Sequence, residues 1–266
     1  MAESLLTCES IFRRNMFRHN IGGGAMFSTE KAFGEFYPVG GGAVVSAFGV
    51  PAQHRTASLS APALTGWACR VKRAEDVILA AMVLPAALIL MLLIALWIYI
   101  DSPGPVLFRQ RRIGLGGRDF EVLKFRTMRA DCVEAATCRQ ATRGDPRVTR
   151  AGAWLRRFSL DELPQLINVL RGEMSLVGPR PHAPGTCAGG RPFEQVVAVY
   201  PARHRMPPGM TGLAQVRGWR GETETEDKLV YRVRSDLEYI AKWSVWLDLK
   251  IIVRTLLVIV IARNAY

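Results

Sequence analysis

The hydrophobic pattern changes character several times along the chain, and each change predicts a different kind of element. Residues 77–100, VILAAMVLPAALILMLLIALWIYI, form one apolar run without a charge. At about 1.5 Å per residue the run makes roughly 36 Å of helix, enough to cross a hydrocarbon core. Pro85 lies inside it, where a proline removes a main-chain hydrogen bond at a cost on the order of 3 kcal/mol unless the helix bends. Arg70, Lys72 and Arg73 precede the run, and Arg109, Arg111 and Arg112 follow it. Basic residues favour the cytoplasmic side, so both flanks read as cytoplasmic. A helix that enters, breaks at Pro85 and returns to the same face satisfies both facts. An ordinary spanning helix kinked at the proline is the other reading the residues allow.

Beyond that run the periods are shorter. Residues 106–108 and 120–125 predict two strands of a hairpin, joined across a glycine-rich turn at 114–117. Trp154, Leu155 and Phe158 form an apolar face beside Arg150, Arg156 and Arg157. Leu163, Leu166, Ile167 and Leu170 recur at helical spacing, and Pro164 confines the start of that helix to about 159–161 because proline is tolerated only in a first turn. Arg171-Gly172 is its expected stop. A short helix is expected over 193–205, a short strand over 214–217 and a charged helix over 227–240. The tail, WSVWLDLKIIVRTLLVIVIA, is apolar but interrupted by Asp248, Lys250 and Arg254. Its Trp243 and Trp246 are of the kind found at membrane boundaries, so it reads as an interfacial helix or as a core helix. Residues 1–66 carry two triple-glycine runs and no sustained period, which predicts a disordered leader.

Charge narrows the class of partner. The chain has 266 residues, a net charge of +12 and a pI near 10.0, which points to an anionic partner. Nucleic acid, anionic lipid and phosphorylated small molecules all qualify on charge alone. Five cysteines without C-x-x-C or zinc-site spacing argue against a disulfide framework and a structural zinc. Walker, Rossmann, H-E-x-x-H and G-x-S-x-G signatures are absent from the sequence.

Candidate chemistry concentrates in 159–181, SLDELPQLINVLRGEMSLVGPRP. Asp161 and Glu162 fall at a predicted helix N-terminus, where unpaired N–H groups favour ionised carboxylates. Consecutive helix positions point about 100° apart, so the two are suited to separate roles, one as nucleophile and one as metal ligand or proton handler. Ser159 and Glu162 also match a capping box, an ordinary structural use of the same residues. The hairpin carries Arg109, Arg111, Arg112, Lys124 and Arg126, a set that suits lipid headgroups or a diphosphate clamp. His182 and His204 read as surface or structural residues. Trp219 in the 218–223 loop is able to stack on a base or sugar, and Arg220 to pair with a phosphate or with Glu222.

A set of motifs in fixed order then identifies a resemblance: the proline-broken apolar helix, FRQRRIG, LKFRTM, DPRVTRAGAWLRRFSLDELPQLINVLRGEMSLVGPRPHA and PPGMTGLAQVRGWRGETET. From about Val71 to the C-terminus the chain resembles the bacterial sugar transferases, the monotopic phosphoglycosyl transferases that transfer a hexose 1-phosphate from a UDP-hexose to undecaprenyl phosphate and release UMP. The resemblance implies an α+β, mostly helical protein with a re-entrant membrane helix over 67–101. A small catalytic domain over 102–266 would carry a short hairpin and interfacial amphipathic helices. It implies the bacterial inner membrane as location, a cytosol-facing site, Mg²⁺, exopolysaccharide or glycoconjugate assembly as the setting, and possible homo-oligomers. Nucleic acid drops out as a partner. The family's Asp-Glu pair falls on Asp161-Glu162, as nucleophile and assisting carboxylate with the metal held between them. Its conserved cations fall on Lys124, Arg156 and Arg180, with Arg126 and Arg220 as further phosphate ligands. Leu84 stands where many members have serine before the membrane proline. The G-W-R-G-E-T loop is similar to that of members that start with glucose. The competing class is a non-catalytic membrane-tethered protein that holds acidic polymers or partner proteins.

Overall fold

The apolar run folds as one helix, α1 (Gly66–Asp101), with Pro85 in its interior. The computed structural model describes residues 63–129, 145–223 and 225–261, all within one unit, Val44–Tyr266. Seven α1 residues are buried, namely Lys72, Asp76, Ala80, Ala87, Met91, Ile94 and Ile98, and their spacing of three, four or seven places them on one stripe. Ala80 and Ala87 pack with Val122, Leu166 and Val169, while Met91, Ile94 and Ile98 pack with Phe125 and Leu155. Away from the stripe the helix is as apolar as beneath it: Met82, Ile89, Leu92, Leu93 and Ile100 are 62–72% exposed. A helix apolar all round, with protein on one stripe only, offers its remaining faces to an apolar surrounding. Among the described residues α1 is the only helix long and apolar enough to cross a membrane.

The expected interruption at Pro85 is not present as a gap in the helix. A proline forfeits one i→i−4 bond, and here the turns before and after it are held by the same cluster, through Ala80 on one side and Ala87 on the other.

The hairpin forms as predicted but is longer, with β1 (Leu107–Ile113) antiparallel to β2 (Asp119–Phe125) and Phe108 opposite Lys124. The charged run Arg109 to Arg112 hides a strand whose side chains alternate between exposed and half-buried positions. Helix α2 (Arg150–Arg157) starts at Thr149, whose Oγ1 accepts from Gly152 N at 3.0 Å. A side chain at Gly152 would place its Cβ 2.1 Å from the Thr127 carbonyl oxygen, so glycine is what lets α2 lie against the end of β2. Helix α3 (Gln165–Arg171) ends at Gly172, which adopts φ 84° as the stop signal requires.

The next segment departs from the expected elements. β3 (Ser175–Val177) is followed by the small pair β4 (Cys187–Ala188) and β5 (Arg191–Pro192), then α4 (Phe193–Val196) and a 3₁₀ turn over Tyr200–Arg205. The single helix expected over 193–205 is thus two pieces, separated by Val197 in an extended conformation. The expected strand over 214–217 is instead helix α5 (Leu213–Val216), and the strand lies just before it as β6 (Gly209–Thr211), parallel to β3. That pairing joins segments more than thirty residues apart, which a local pattern does not contain. It also needs Gly209, where a Cβ would sit 2.1 Å from Gly178 N.

Helices α6 (Glu226–Ala241) and α7 (Val245–Ile261) complete the fold. The tail is a core helix on one face of α7, and its other face is exposed and largely apolar. Asp248 and Ile251 are buried, whereas Trp246, Val253, Leu256 and Leu257 are 57–66% exposed.

A buried ion cluster joins these parts. Lys72 Nζ lies 3.1 Å from Asp76 Oδ1 and 2.8 Å from Asp248 Oδ2. Asp76 also accepts from Ser175 Oγ and Leu176 N, both at 2.9 Å, and Asp248 accepts from Tyr239 Oη at 2.8 Å and Trp243 Nε1 at 3.1 Å. One cation between two hydrogen-bonded anions thereby holds α1, β3, α6 and α7 together. Alongside it, Arg73 donates to the carbonyls of Val169 and Leu170 at the end of α3, at 2.5 and 2.7 Å. At the other end of α1, Asp101 Oδ2 accepts from Ala151 N at 3.1 Å. Ala63 and Leu64, at the end of the expected leader, pack near Val177 and Met206, and Ala63 N donates to Arg205 O at 2.7 Å. The rest of that leader, residues 1–62, lies outside the described residues.

Removing the cation leaves two buried anions uncompensated, so Lys72→Ala is expected to cost about 3–5 kcal/mol. Thermal unfolding of the detergent-solubilised protein checks this, and an unchanged midpoint would count against the cluster as the tie between α1 and α7.

Candidate active site

The acidic pair does not sit at the helix start that its sequence suggests. Leu160–Glu162 forms a separate 3₁₀ turn ahead of α3, and Ser159 before it is left-handed at φ 57° with no capping hydrogen bond. The capping box is therefore not made. Ser159 Oγ instead accepts from Arg220 Nη2 at 2.5 Å, and the Glu162 carboxylate turns outward to cations.

Glu162 is clamped. Lys124 Nζ donates to its Oε1 at 2.9 Å and Arg180 Nη1 to its Oε2 at 3.0 Å, while Arg180 Nη2 also bonds Oε1. These two cations hold its carboxyl well below the usual range despite burial. The Asp161 side chain makes no hydrogen bond among the described residues. Burial first, and the Glu162 charge second, push its carboxyl up to about 6, against the pull of Lys124, Arg156 and Arg180. Two adjacent carboxyls are thus driven apart in acidity, one fixed as an anion and one open to the cleft and poised near neutrality.

Arg156 is aimed by its Nε bond to Thr127 Oγ1, 2.8 Å, at the end of β2. Arg112 was read only as part of the hairpin's basic set; it lines the same cleft and donates to Gln110 Oε1 at 2.5 Å and Pro181 O at 3.3 Å. Burial and the nearby Arg180 lower its guanidinium to about 10, so it stays charged. Burial lowers the Lys124 ammonium as well. Arg126 has a different placement. It is buried, and its guanidinium donates to the carbonyls of Ser102 and Pro103, where the chain leaves α1. Arg126 also lines the cleft, with part of its guanidinium engaged by those carbonyls.

Behind Arg180 lies a hub that the sequence did not announce. Arg203, buried, pairs with Asp236 at 2.6 Å and donates to the Arg180 carbonyl at 2.7 Å and to Tyr200 Oη at 3.0 Å. Arg232 donates to the carbonyls of Trp219 and Gly221 at 3.0 and 2.9 Å, which shapes the 218–223 loop. His182 sits between them, with Nδ1 3.0 Å from Tyr200 Oη and Nε2 3.0 Å from Arg232 Nη1. Burial and the surrounding arginines lower its imidazole well below the ordinary value, so it is neutral. Nδ1 also lies 2.5 Å from Arg203 Nη1, so both ring nitrogens face arginine donors, and the neutral ring, with one N–H, accepts at only one of them. His182 is a structural residue, as expected, and a buried one. Trp219 stacks on Tyr231 at 4.8 Å and 9°, so one of its faces is already covered. No local signal marks Arg203 or Arg232, because their partners are distant in sequence.

The acidic pair and the cations around it line a cleft of about 1020 Å³ that also takes in apolar residues of α1 and α7. A model of the family described as bacterial sugar transferase matches residues 64–262. The chain belongs to the bacterial sugar transferase family. The matched region of this bacterial sugar transferase runs from the residue pair before α1 through α7 and contains every site residue named above. It is 54% identical over 203 residues to a Komagataeibacter xylinus protein named undecaprenyl-phosphate glucose phosphotransferase, covering 76% of this chain and 38% of that one. Two proteins named UDP-glucose:undecaprenyl-phosphate glucose-1-phosphate transferase are similar. The one from Escherichia coli is 49% identical over 74% of this chain and 41% of its own length, and the one from Caulobacter vibrioides is 52% identical over 73% and 72%. The chain thus spans about two fifths of the first two relatives and nearly three quarters of the third.

The acidity split has a testable origin. Glu162→Gln removes the neighbouring anion and frees Lys124 and Arg180 to act on Asp161, so the Asp161 carboxyl is expected to titrate below its present value of about 6. Carboxyl ¹³C NMR of the variant checks the sign, and a rise would count against the electrostatic account.

Proposed function

We propose that this protein transfers a hexose 1-phosphate, most simply glucose 1-phosphate, from a UDP-sugar to undecaprenyl phosphate, as the first membrane step of exopolysaccharide or glycoconjugate assembly. One observation carries the reading: an unpartnered Asp161 carboxylate beside a clamped Glu162, ringed by Lys124, Arg112, Arg156 and Arg180 in a cleft that continues onto apolar helices. The names of the relatives agree with it in donor and acceptor. A binder of acidic polymers would gain nothing from an anionic pair at the centre of its cations.

In this mechanism Asp161 Oδ attacks the phosphorus that carries the sugar. The bond from that phosphorus to the bridging oxygen breaks, and UMP leaves with the electron pair. A phosphate oxygen of undecaprenyl phosphate then attacks the same phosphorus and releases Asp161. Phosphoryl transfer depends mainly on positioning and charge stabilisation, which the cations supply. Glu162 keeps Lys124 and Arg180 in place, and the hub behind Arg180 fixes the main chain that presents it. Arg220, held by Ser159, brings the 218–223 loop over the cleft for the donor.

A magnesium ion fits the site in part. Mg²⁺ takes one or two carboxylates plus phosphate oxygens, and Asp161 is open to one, whereas both oxygens of Glu162 are occupied by Lys124 and Arg180. Asp161 together with the donor's diphosphate would therefore hold the ion, which would supply charge neutralisation there.

Membrane association follows from α1, and its two ends support re-entry. Arg73 is bonded to α3 and Asp101 to α2, both in the same small domain. A helix crossing the bilayer would place about 30 Å of hydrocarbon between its flanks. With both flanks on one body, the apolar part enters the hydrocarbon without its ends lying on opposite faces, and because α1 is continuous through Pro85 it enters as one helix rather than through a break at the proline. The cytosol is the side that the basic flanks select.

Two outcomes are expected. Asp161→Asn abolishes UMP release from UDP-glucose by the purified enzyme, and in the wild type the rate falls as pH drops through about 6, where Asp161 becomes protonated; full activity in the variant, or a flat profile between pH 5 and 7, would overturn the mechanism. Impermeant maleimide is expected to reach Cys69, which is exposed, and a Ser102→Cys variant from the same side of inverted membrane vesicles. Labelling from opposite sides would exclude re-entry.

A further inference from the structure

The cleft has two linings of different chemistry. Around Glu162 it is cationic, but it also runs along Leu79 and Val83 of α1 and along Ile252, Leu256 and Ile259 of α7. The two helices are tied where Lys72 meets Asp248, at 2.8 Å. From that tie both chains run on toward these apolar residues: Asp248 to Ile259 is eleven residues, or roughly 16 Å of helix. At the inner end of this groove Thr211 Oγ1 and Thr255 Oγ1 are 2.6 Å apart, a hydrogen bond between β6 and α7 that fixes one wall against the catalytic floor. Val83 and Leu256 are 54% and 59% exposed, so the groove is open along its length.

We infer that the groove between α1 and α7 receives the first isoprene units of the prenyl phosphate acceptor. This rests on the proposed transfer to undecaprenyl phosphate and adds which residues hold the hydrocarbon. The donor is polar throughout and gains nothing from five aliphatic walls, whereas the acceptor is an anion followed by hydrocarbon, in the order in which the cleft presents cations followed by aliphatic side chains. The exposed face of α1 beyond the groove is apolar as well, with Met82, Ile89, Leu92 and Leu93 open, so a tail longer than the groove passes sideways into lipid on that side, whereas the exposed face of α7 carries Lys250 and Arg254. The groove thereby sets how deep the phosphate rides: it lets the head reach Asp161 while the rest of the chain stays in the bilayer.

The test separates the two half-reactions. Val83→Trp and Leu256→Trp, each at a half-exposed position, narrow the groove without touching the charged residues. Stoichiometric UMP release from UDP-glucose by enzyme alone reports the first half-reaction and the integrity of the fold. Turnover with undecaprenyl phosphate and with the short geranyl phosphate reports the second. Both variants are expected to keep the UMP burst, to raise the KM for undecaprenyl phosphate about tenfold or more, and to narrow the advantage of the long acceptor over the short one. An unchanged KM for undecaprenyl phosphate in both variants overturns the groove, as does an equal loss for both acceptors, which would mean that the tail is not read there. Leu256→Ala, which widens the groove, is a second arm: a shift of chain-length preference supports the assignment, and no shift in any of the three variants overturns it. Absence of the UMP burst in the wild-type protein would overturn the transfer reading itself, a result distinct from any of these.

Discussion

A single buried ammonium, Lys72, ties this protein's long apolar helix to the rest of the fold. It lies between Asp76 and Asp248 in the interior, where an ion pair is retained only if the remaining lone pairs are also satisfied, and here Ser175, Leu176, Tyr239 and Trp243 satisfy them. An apolar helix has no directional preference for one neighbour over another, because lipid and aliphatic side chains are equally good solvents for it. The ionic contact supplies the direction that hydrophobic burial lacks. It fixes the rotation of α1, and rotation decides which stripe meets the hairpin and which is left exposed.

The same division between burial and charge recurs at the acidic pair. Glu162 is neutralised by two cations and becomes part of the scaffold. Asp161, one residue away, makes no side-chain hydrogen bond among the described residues and opens on the cleft. The hub of Arg203, Arg232, His182 and Tyr200 extends the scaffold outward, joining the Gly-Pro-Arg-Pro turn to the 218–223 loop through main-chain carbonyls. Side chains that bind carbonyls hold loops in place whatever the loops' own side chains are, and here the held loops carry Arg180, which pairs with Glu162, and Arg220, which bonds Ser159.

Much of this was legible in the sequence, and the limits have physical causes. The long apolar helix, the hairpin and the stop at Gly172 follow from composition and spacing, and the gathering of Lys124, Arg156 and Arg180 around Asp161-Glu162 was implied by the family resemblance that the motif order carries. The buried stripe of α1 was not, because a uniformly apolar run carries no periodicity to read. β6 was misplaced by a few residues because its partner, β3, is remote. The clamp on Arg126 and the hub behind Arg180 were also hidden, since arginine on a charged surface and arginine binding carbonyls in the interior look alike in one dimension. The capping box failed for a local reason: Ser159 adopted a left-handed conformation to face Arg220.

That serine has a wider consequence. It is the only residue other than glycine with positive φ among the described residues, and holding an L side chain there costs roughly 1–2 kcal/mol. A glycine would relax the backbone but leave Arg220 without its hydroxyl partner, so heat resistance and loop order pull in opposite directions at this one position. Selection for thermostable variants would be drawn to residue 159 and would trade away the hydrogen bond that anchors the 218–223 loop at the cleft.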